Sequence, residues 1–162
     1  MPPVVAIVGR PNVGKSTLFN RLTRSRAALV ADVPGLTRDR HFGRALLGDR
    51  EVTLTDTGGV LGAEEGVDAL TAAQAWQAVE DAELVLFVVD GRAGRTASDA
   101  WIADRLRTVD RPVLVVVNKC DGVTEGLGSA EFAGLLPGPL VEISAEHGRG
   151  TGALVEAVLA LL

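Results

Sequence analysis

The sequence predicts an α/β fold with a doubly wound, mostly parallel sheet of six strands, helices on both faces and one antiparallel edge strand. Short apolar runs rich in β-branched residues alternate with helical patterns, as buried parallel strands alternate with their crossover helices. Two further runs are separated by only three residues, a distance that suits a hairpin and supplies the antiparallel strand.

Each element in the first part of the chain is expected for a local reason. Val4–Val8 is an apolar run that ends at a glycine, and Lys15–Thr23 opens from the loop that follows with a helical pattern. Phe42–Leu47 and Glu51–Thr55 are the two strands of the hairpin, and Gly48-Asp49-Arg50 is the turn between them.

The rest of the chain alternates helix and strand. An alanine-rich helix is expected over Asp68–Asp81, and a helix over Ser98–Val109 places Trp101, Ile102, Leu106 and Val109 on one apolar face. The remaining elements are the short apolar strands Leu84–Val89, Val113–Val117 and Leu140–Ile143 and the strongly apolar helix Gly152–Leu162. Ligands of such sheets bind beyond the carboxyl ends of the strands.

The size and composition favour one globular domain. A chain of 162 residues buries one proper core without staples, and its single cysteine excludes an intramolecular disulfide. The apolar run at residues 4–8 is too short for a signal-peptide core or a membrane span. We therefore expect a soluble, cytoplasmic protein with no membrane partner.

The net charge of −5 is unevenly distributed. Residues 10–50 carry nine Lys or Arg against three Asp or Glu, so this segment is +6 and the remaining chain is −11. A basic patch on an acidic body is typical of a protein that meets nucleic acid or a polyphosphate. For Arg21, Arg24 and Arg26, a solvated helix face is an equally good explanation.

A phosphate-binding loop is predicted at Gly9–Ser16, which has the pattern G-x-x-x-x-G-K-S between a strand and a helix. Several N–H groups and the positive end of the helix converge there. Lys15 would reach the β- and γ-phosphates as a point charge, and Ser16 would place its hydroxyl on Mg²⁺. This pattern alone leaves kinases, ATPases and GTPases open.

The residues NKCD at positions 118–121 favour guanine as the base. An ionised Asp121 only accepts hydrogen bonds, and guanine offers it two parallel donors that adenine lacks. Lys119 can lay its methylene stem along the base while its charge stays in water. Asn118 can tie this loop to the phosphate loop. Cys120 stands at the variable position and is interpreted as a small packing residue.

Two further loops follow strands at the same edge. Asp56-Thr57-Gly58-Gly59 can hold a Mg²⁺-bound water through its carboxylate and meet a γ-phosphate through a glycine N–H. Thr37 lies in a stretch without apolar periodicity and could place a second hydroxyl on the metal. Ser144-Ala145 could offer a backbone N–H to the guanine O6. His41 and His147 lack metal-ligand spacing.

These motifs resemble a known family. GRPNVGKST, PGLTRDR, DTGG, NKCD and SAEHGRG resemble, in order, the five signatures of the Era-like group of translation-factor-related P-loop GTPases. The resemblance covers the whole chain and implies GTP hydrolysis with Mg²⁺. It assigns the nucleotide to Gly9, Arg10, Pro11, Asn12, Val13, Gly14, Lys15, Ser16, Thr17, Asp56, Thr57, Gly58, Gly59, Asn118, Lys119, Asp121, Ser144 and Ala145, the metal to Ser16, Thr37 and, through water, Asp56, and catalysis to Lys15, Thr37, Asn12 and Gly59.

More narrowly, ALVADVPGLTRDRHFGRA with DTGGV is similar to the first GTPase domain of a bacterial ribosome-assembly subfamily. That subfamily has two tandem GTPase domains and a KH-like domain, and it implies a role in assembly of the large ribosomal subunit. This sequence departs from it by ending after one domain. We expect a domain excised from a longer tandem protein, with a free-standing relative as the alternative.

A slow guanine-nucleotide-gated binding module is the alternative to an enzyme. Val60 stands where Ras-type GTPases place a water-orienting glutamine, and an aliphatic side chain can neither donate to a water nor accept from it. An ATP-dependent kinase is a distant third, disfavoured by Asp121.

Asn12 is an unusual choice at the crown of a phosphate loop. Its carbonyl oxygen could hold a K⁺ near the β- and γ-phosphates, where an arginine finger acts in other GTPases, and potassium-stimulated relatives in this group carry asparagine here. The simpler interpretation is that Asn12 only turns or caps the loop.

Overall fold

The computed structural model describes residues 2–23, 41–57, 69–122 and 126–162, and the statements below concern these residues. Their order along the chain alternates strand and helix after an initial hairpin. The elements are β1 (Val4–Val8), α1 (Lys15–Thr23), β2 (His41–Leu47), β3 (Arg50–Asp56), α2 (Ala69–Asp81), β4 (Leu84–Asp90), α3 (Ala97–Leu106), β5 (Val113–Asn118), α4 (Leu127–Ala130), β6 (Leu140–Glu142) and α5 (Thr151–Leu161).

In the described residues, the six strands form one sheet in the order β2-β3-β1-β4-β5-β6. Strand β2 pairs with β3 in the antiparallel sense at one edge, and each other neighbouring pair is parallel. The predicted fold class is therefore confirmed. Leu47 pairs with Arg50, so the turn is the two-residue Gly48-Asp49 and Arg50 already belongs to β3.

Each face of the sheet carries its own core. Because successive strand residues point to opposite faces, Leu86 of β4 packs in the cluster with α1 and α5, while Phe87 packs in the cluster with α2 and α3. All seven residues of β4 are buried. A strand that lies between two parallel neighbours and two helical layers has no solvated face, which explains its unbroken apolar sequence.

Helix α3 departs from its prediction in two respects. It begins at Ala97 behind a capping box between Thr96 and Asp99, and it ends at Leu106, three residues before Val109. Trp101, expected on one apolar face with Ile102 and Leu106, is 40% exposed and does not share their burial. Ile102 and Leu106 are buried as expected, and Trp101 lies on the neighbouring face, where its ring contacts Trp76 edge-on at 6.3 Å between centroids.

Helix α4 was not predicted because four residues are too few to show a helical period. Its first turn is stabilised from outside: the carboxylate of Glu142 accepts hydrogen bonds from the N–H groups of Gly126 (2.9 Å) and Ser129 (2.8 Å). These N–H donors outweigh the effect of partial burial, and they hold the pKa of Glu142 below its ordinary value.

The other predicted boundaries agree within one or two residues. The predicted start of the second helix at Asp68 lies outside the described residues. None of the described helices has the length and apolar character needed to cross a bilayer.

The sheet brings the motif-bearing loops together. Asp56 is in register with Ile7 at the end of β1, and Asp90 is in register with Asn118 at the ends of β4 and β5. Because these strands are parallel, the loops that follow them leave the sheet at the same edge.

Candidate nucleotide-binding site

The phosphate loop joins β1 to α1 and surrounds a cavity of about 520 Å³ lined by Pro11, Asn12, Gly14, Lys15, Ser16, Thr17 and Lys119. Val13 is fully buried and anchors the loop in the core. The Lys15 side chain is buried along the loop, and its ammonium donates to the carbonyl of Arg10 at 2.8 Å. The loop therefore holds a positive charge directly beside the N-terminus of α1.

The side chain of Arg10 makes a different contact. Its Nε lies 3.5 Å from Oδ1 of Asp99, which is fully buried in the first turn of α3. Arg10 thus links the phosphate loop to α3 through an ion pair. Because its side chain is engaged there, the predicted contact of Arg10 with the nucleotide would come from its backbone.

Asn12 has a backbone reason to be asparagine. Its φ is +68°, in the left-handed region that asparagine enters more readily than most residues other than glycine. Its backbone carbonyl oxygen, not its side-chain oxygen, accepts a hydrogen bond from Nζ of Lys119 at 2.8 Å, and the residue is exposed at the crown of the loop. The interpretation of Asn12 as a turn residue therefore gains physical support, while its role as a K⁺ ligand stays a prediction.

Asn118 connects the phosphate loop to the loop after β6. Its Nδ2 donates to the carbonyl of Val13 at 2.9 Å, and its Oδ1 accepts from the N–H of Ala145 at 2.9 Å. Gly14 makes room for this side chain, since a Cβ built at Gly14 would lie 2.2 Å from Nδ2 of Asn118. The expected tie between the two motifs is present, and both amide groups of Asn118 are used in it.

Lys119 differs from its expected arrangement. Its ammonium lies 3.1 Å from Oδ2 of Asp90 in addition to its bond with Asn12, so the charge is paired and does not simply extend into water. Burial opposes ionisation of Asp90, but hydrogen bonds from the N–H of Ala93, from Lys119 and from the N–H of Arg92 outweigh it, so the pKa of Asp90 lies below its ordinary value. Asp90 thereby fixes Lys119 beside the phosphate loop.

Asp121 lies at the rim of a second cavity, of about 200 Å³, lined by Gly14, Thr17, Arg92, Asn118, Lys119, Asp121, Ser144 and Glu146. Its Oδ1 accepts from the hydroxyl of Ser144 at 3.1 Å, and its Oδ2 lies 2.9 Å from the guanidinium of Arg92 and 3.5 Å from Nε2 of His147. Partial desolvation opposes ionisation, but the Ser144 hydrogen bond and the nearby Arg92 and His147 hold the pKa of Asp121 below its ordinary value. The carboxylate is thus an acceptor near neutral pH.

The residues expected to hold Mg²⁺ suit a hard cation. The hydroxyl of Ser16 lies 3.3 Å from Oδ2 of Asp56, so two oxygen donors meet beside the phosphate loop. The described residues contain no group of three or more His, Cys, Asp or Glu side chains placed to hold a metal ion by themselves. Mg²⁺ usually binds through one or two protein oxygens together with phosphates and waters, so this sparse donor set fits it.

Thr57 serves the structure of its loop. Its hydroxyl and its N–H both donate to the carbonyl of Ile7, at 3.0 and 3.2 Å, which fixes the chain as it leaves β3. Thr37, Gly58 and Gly59 of the expected site lie outside the described residues. Val60, which stands in place of a water-orienting glutamine, also lies outside them.

Cys120 is half-buried and packs against the core cluster on the side of α2 and α3. Burial, with the nearby carboxylate of Glu142, raises the pKa of its thiol. A thiol that resists ionisation is a poor nucleophile, which agrees with the prediction of a packing residue.

Sequence reasoning missed Arg92 as a contact of Asp121 and Asp90 as the partner of Lys119. The signal available was position, because Asp90 ends a buried strand and Arg92 follows it in the next turn, at the same sheet edge as the NKCD motif. It also left open the role of Arg21, whose guanidinium contacts the loop after β6.

A phosphate loop at the first strand and a guanine-type N-K-x-D motif hydrogen-bonded to it, on a six-stranded doubly wound sheet, define a guanine-nucleotide-binding domain of the P-loop GTPase class. The chain belongs to the family described as 50S ribosome-binding GTPase, which matches residues 4–119.

The narrower resemblance, to Der, also called EngA, is likewise confirmed. The chain is 57% identical over 159 residues to GTPase Der of Vibrio cholerae serotype O1. This match covers 98% of the chain and 32% of the relative. The chain therefore spans about a third of the length of the curated relatives it matches.

Solved structures agree on the fold. The chain is similar to a variant of Era from Aquifex aeolicus bound to GDP and AlF4⁻, with a TM-score of 0.79, 28% identity and coverage of 99% of the chain and 56% of that protein. It is also similar to Era in complex with MgGDPNP and a segment of 16S ribosomal RNA, with a TM-score of 0.78, 29% identity and the same coverage.

Proposed function

We propose that this chain is a switch domain that binds GTP with Mg²⁺ and hydrolyses it to GDP and phosphate. The observation that carries the proposal is the position of Asn118, which hydrogen-bonds Val13 of the phosphate loop and Ala145 of the loop after β6. One buried side chain thus joins the phosphate end and the base end of one site. A nucleotide is the ligand class that carries phosphates at one end and a base at the other.

The phosphates are assigned to the loop at residues 9–17. Lys15 and the N–H groups at the start of α1 supply positive charge where the β- and γ-phosphates would lie. Ser16 and Asp56 would hold Mg²⁺, which when bound neutralises charge on the phosphate oxygens. Thr37 is proposed as a further metal ligand and Gly59 as a γ-phosphate contact, both from the sequence.

The base is assigned to the cavity beside Asp121. An ionised carboxylate accepts two parallel hydrogen bonds, which the N1–H and 2-amino groups of guanine supply. The hydroxyl of Ser144 fixes one carboxylate oxygen. A site built around this acceptor rejects adenine because the carboxylate would lose its designed partners.

The proposed enzyme has slow intrinsic turnover. Val60 provides no side chain that can orient the attacking water. Lys15 and a K⁺ held by Asn12 would therefore stabilise the negative charge that develops on the γ-phosphate during hydrolysis. The same Val60 favours the second candidate, a guanine-nucleotide-gated binding module whose turnover is too slow to matter catalytically. The two candidates differ in rate and in what accelerates it.

The cellular role is proposed from the family. The family description names the 50S ribosome, and the Era structure holds a segment of 16S ribosomal RNA. We propose a cytoplasmic protein that acts in ribosome biogenesis, in assembly of the large subunit, with the basic segment at residues 10–50 near ribosomal RNA in the triphosphate state. A second GTPase domain and a KH-like domain are the proposed neighbours if the chain is part of a longer protein.

Multiple-turnover release of phosphate from GTP, with and without ribosomal subunits, tests the proposal. Lys15→Ala should abolish turnover and weaken triphosphate binding while thermal unfolding changes little, because the ammonium serves the ligand more than the core. Arg95→Ala, which removes an exposed charge outside the basic segment at residues 10–50, is the matched control and should leave both unchanged. Tight GTP binding without release of phosphate, even with subunits present, would favour the binding module.

A further inference from the structure

Arg21 is the one described arginine of helix α1, and its guanidinium leaves the helix surface to contact another loop. Its Nε donates to the carbonyl of Ala145, and its Nη2 donates to the carbonyl of Glu146 at 2.9 Å. Hydrogen bonds from a guanidinium are charge-assisted, and two from one planar group fix direction as well as distance. Arg21 is therefore not simply a solvated charge.

The contacted loop makes room for this guanidinium at Gly148. A Cβ built there would lie 2.8 Å from Nη1 and 3.2 Å from Cζ of Arg21. Gly148 also has a φ of +75°, which a residue with a side chain rarely adopts. The loop thus has a slot in which the arginine lies.

Residues 144–149 form a closed turn on the other side of that slot. The N–H of Ser144 donates to the carbonyl of Arg149 at 2.9 Å, and the N–H groups of Gly148 and Arg149 donate back to the carbonyl of Ser144 at 2.8 and 3.1 Å. Ser144 and Glu146 line the cavity beside Asp121. The turn is therefore part of the wall of the base site.

Ala145 is held from both sides. Its N–H donates to Oδ1 of Asn118, and its carbonyl accepts from Arg21. Asn118 also binds the phosphate loop, and Arg21 lies on the helix that this loop opens. Ala145, expected to read guanine O6, is thus held on both sides by groups that belong to, or bind, the phosphate end of the site.

We propose that Arg21 is a positioning residue for the base-reading loop, residues 144–149. By holding this loop beside the base cavity, Arg21 places the loop N–H groups where they can donate to O6 of the base. This inference rests on the proposed guanine-nucleotide function. Arg21 touches no atom of the nucleotide in this scheme. Its effect passes through the two carbonyls to the adjacent N–H groups.

The proposal separates two parts of base recognition. Asp121 reads N1–H and the 2-amino group, whereas the loop reads O6, so a change at Arg21 should affect the second and spare the first. Inosine diphosphate lacks the 2-amino group and reports on Asp121. 6-Thio-GDP has sulfur, a weak acceptor, in place of O6 and reports on the loop.

The experiment measures the dissociation constants of GDP, inosine diphosphate and 6-thio-GDP for the whole chain. The wild-type chain should prefer GDP over 6-thio-GDP by roughly three- to tenfold, the effect of one neutral hydrogen bond. Arg21→Ala should reduce that ratio to about one and weaken GDP at least fivefold, with the ratio of inosine diphosphate to GDP unchanged. Arg21→Lys, which offers a single ammonium in place of the planar guanidinium, should retain only part of the preference for GDP over 6-thio-GDP.

Arg95→Ala is the matched control, because Arg95 is exposed and lies outside the base-reading loop and outside the lining of both cavities. It should leave both ratios at the wild-type values. Gly148→Ala fills the slot and should lower the 6-thio-GDP ratio like Arg21→Ala, whereas Gly134→Ala, at a φ of +81° with nothing within 4 Å of the new Cβ, should not.

The outcomes are distinguishable. If the wild-type chain binds none of the three nucleotides, the proposed function itself is wrong. If it prefers GDP but Arg21→Ala and Gly148→Ala keep the wild-type 6-thio-GDP ratio, the positioning role is overturned. A uniform loss for all three nucleotides, with both ratios kept, would overturn it equally, since that is what simple loosening of the fold produces.

Discussion

The guanidinium of Arg92 lies 2.9 Å from Oδ2 of Asp121, the carboxylate assigned to guanine. The same guanidinium also donates to the backbone carbonyl of Asp121 at 3.3 Å. Because Ser144 binds the other carboxylate oxygen, the acceptor is engaged on both oxygens by groups of the protein. A guanine that enters the cavity must share Oδ2 with Arg92 or displace it.

Removing Arg92 should therefore strengthen guanine binding. Arg92→Ala is expected to lower the dissociation constant of GDP by up to about fivefold, since an exposed ion pair contributes little. Arg95→Ala removes an equal charge from the same exposed loop and controls for long-range attraction of the phosphates. Titration of both variants with GDP gives the comparison. Weaker binding in Arg92→Ala than in Arg95→Ala would mean that Arg92 contacts the base.

Replacement of the guanine acceptor should change which base is preferred. Asp121→Asn is expected to shift preference from GTP toward xanthosine triphosphate, because the amide supplies a donor that faces the carbonyl replacing the 2-amino group of guanine. The hydroxyl of Ser144 can still donate to the amide oxygen, so the loop keeps its contact. Competition between the two nucleotides measures the shift. Equal competition before and after the substitution would remove Asp121 from the base site.

Much of this architecture was predictable because local pattern determines it. The unbroken apolar run of β4 requires burial on both faces, and a motif at the end of a parallel strand must lie at the ligand edge of the sheet. The contact between Asn118 and the phosphate loop followed from those two facts. A turn or cap at Asn12 was one of two interpretations that the sequence left open, and the left-handed φ of this residue supports it.

Other features depend on contacts that local pattern does not encode. Trp101 has the spacing of a core residue, but the face it occupies is set by where α3 begins and by its packing on Trp76. Arg21 and Glu146 are 125 residues apart in the chain, and a long side chain on a helix surface can reach several partners. Arg92 was missed for the same reason.

Substitution of Gly14 should uncouple the two halves of the site. In Gly14→Ala the new Cβ would lie 2.2 Å from Nδ2 of Asn118, at a φ of +97°. The backbone conformation alone costs about 1–2 kcal/mol. Displacement of Asn118 should additionally weaken GDP binding at least tenfold.

Gly134→Ala provides the matched control for this prediction. It imposes a similar backbone strain at a φ of +81°, where no described atom lies within 4 Å of the new Cβ. Gly14→Ala should lose more stability than Gly134→Ala in denaturant unfolding, because displacement of Asn118 also breaks two buried hydrogen bonds, and only Gly14→Ala should lose affinity in GDP titration. Equal affinities would show that Asn118 can move aside without harm.

Asp90 should make stability depend on acid pH. Its pKa is lower in the folded protein than the ordinary 3.8, so the stabilisation is fully present above pH 3.8 and is lost as the pH falls through the folded value. Asp90→Asn should destabilise the chain at pH 7, and the difference from wild type should shrink below pH 3.8. Urea unfolding at several pH values measures this. Asp110→Asn, at an exposed position, controls for the general effect of removing one negative charge, and a constant gap for Asp90→Asn would contradict the prediction.

The left-handed backbone of Asn12 shows which variants can test its side chain. Alanine at a φ of +68° would strain the loop, so a loss of activity in Asn12→Ala would not identify the amide as the cause. Glycine accepts this conformation and removes the oxygen, whereas aspartate also tolerates it and keeps an oxygen. Asn12→Gly and Asn12→Asp therefore separate the two interpretations of this residue.

Intrinsic GTP turnover is expected on the order of 10⁻⁴ to 10⁻² per second, rising at least tenfold when K⁺ replaces Na⁺ at equal ionic strength. Asn12→Gly should abolish that rise and leave GDP affinity nearly intact, because the loop keeps its shape and its bond from Lys119 to the backbone carbonyl. Asn12→Asp should retain part of the rise. Phosphate release in the two salts provides the measurement. If Asn12→Gly responds to K⁺ as the wild-type chain does, or if the wild-type chain does not respond even with ribosomal subunits, then asparagine is there for the turn, and charge stabilisation at the γ-phosphate must come from elsewhere.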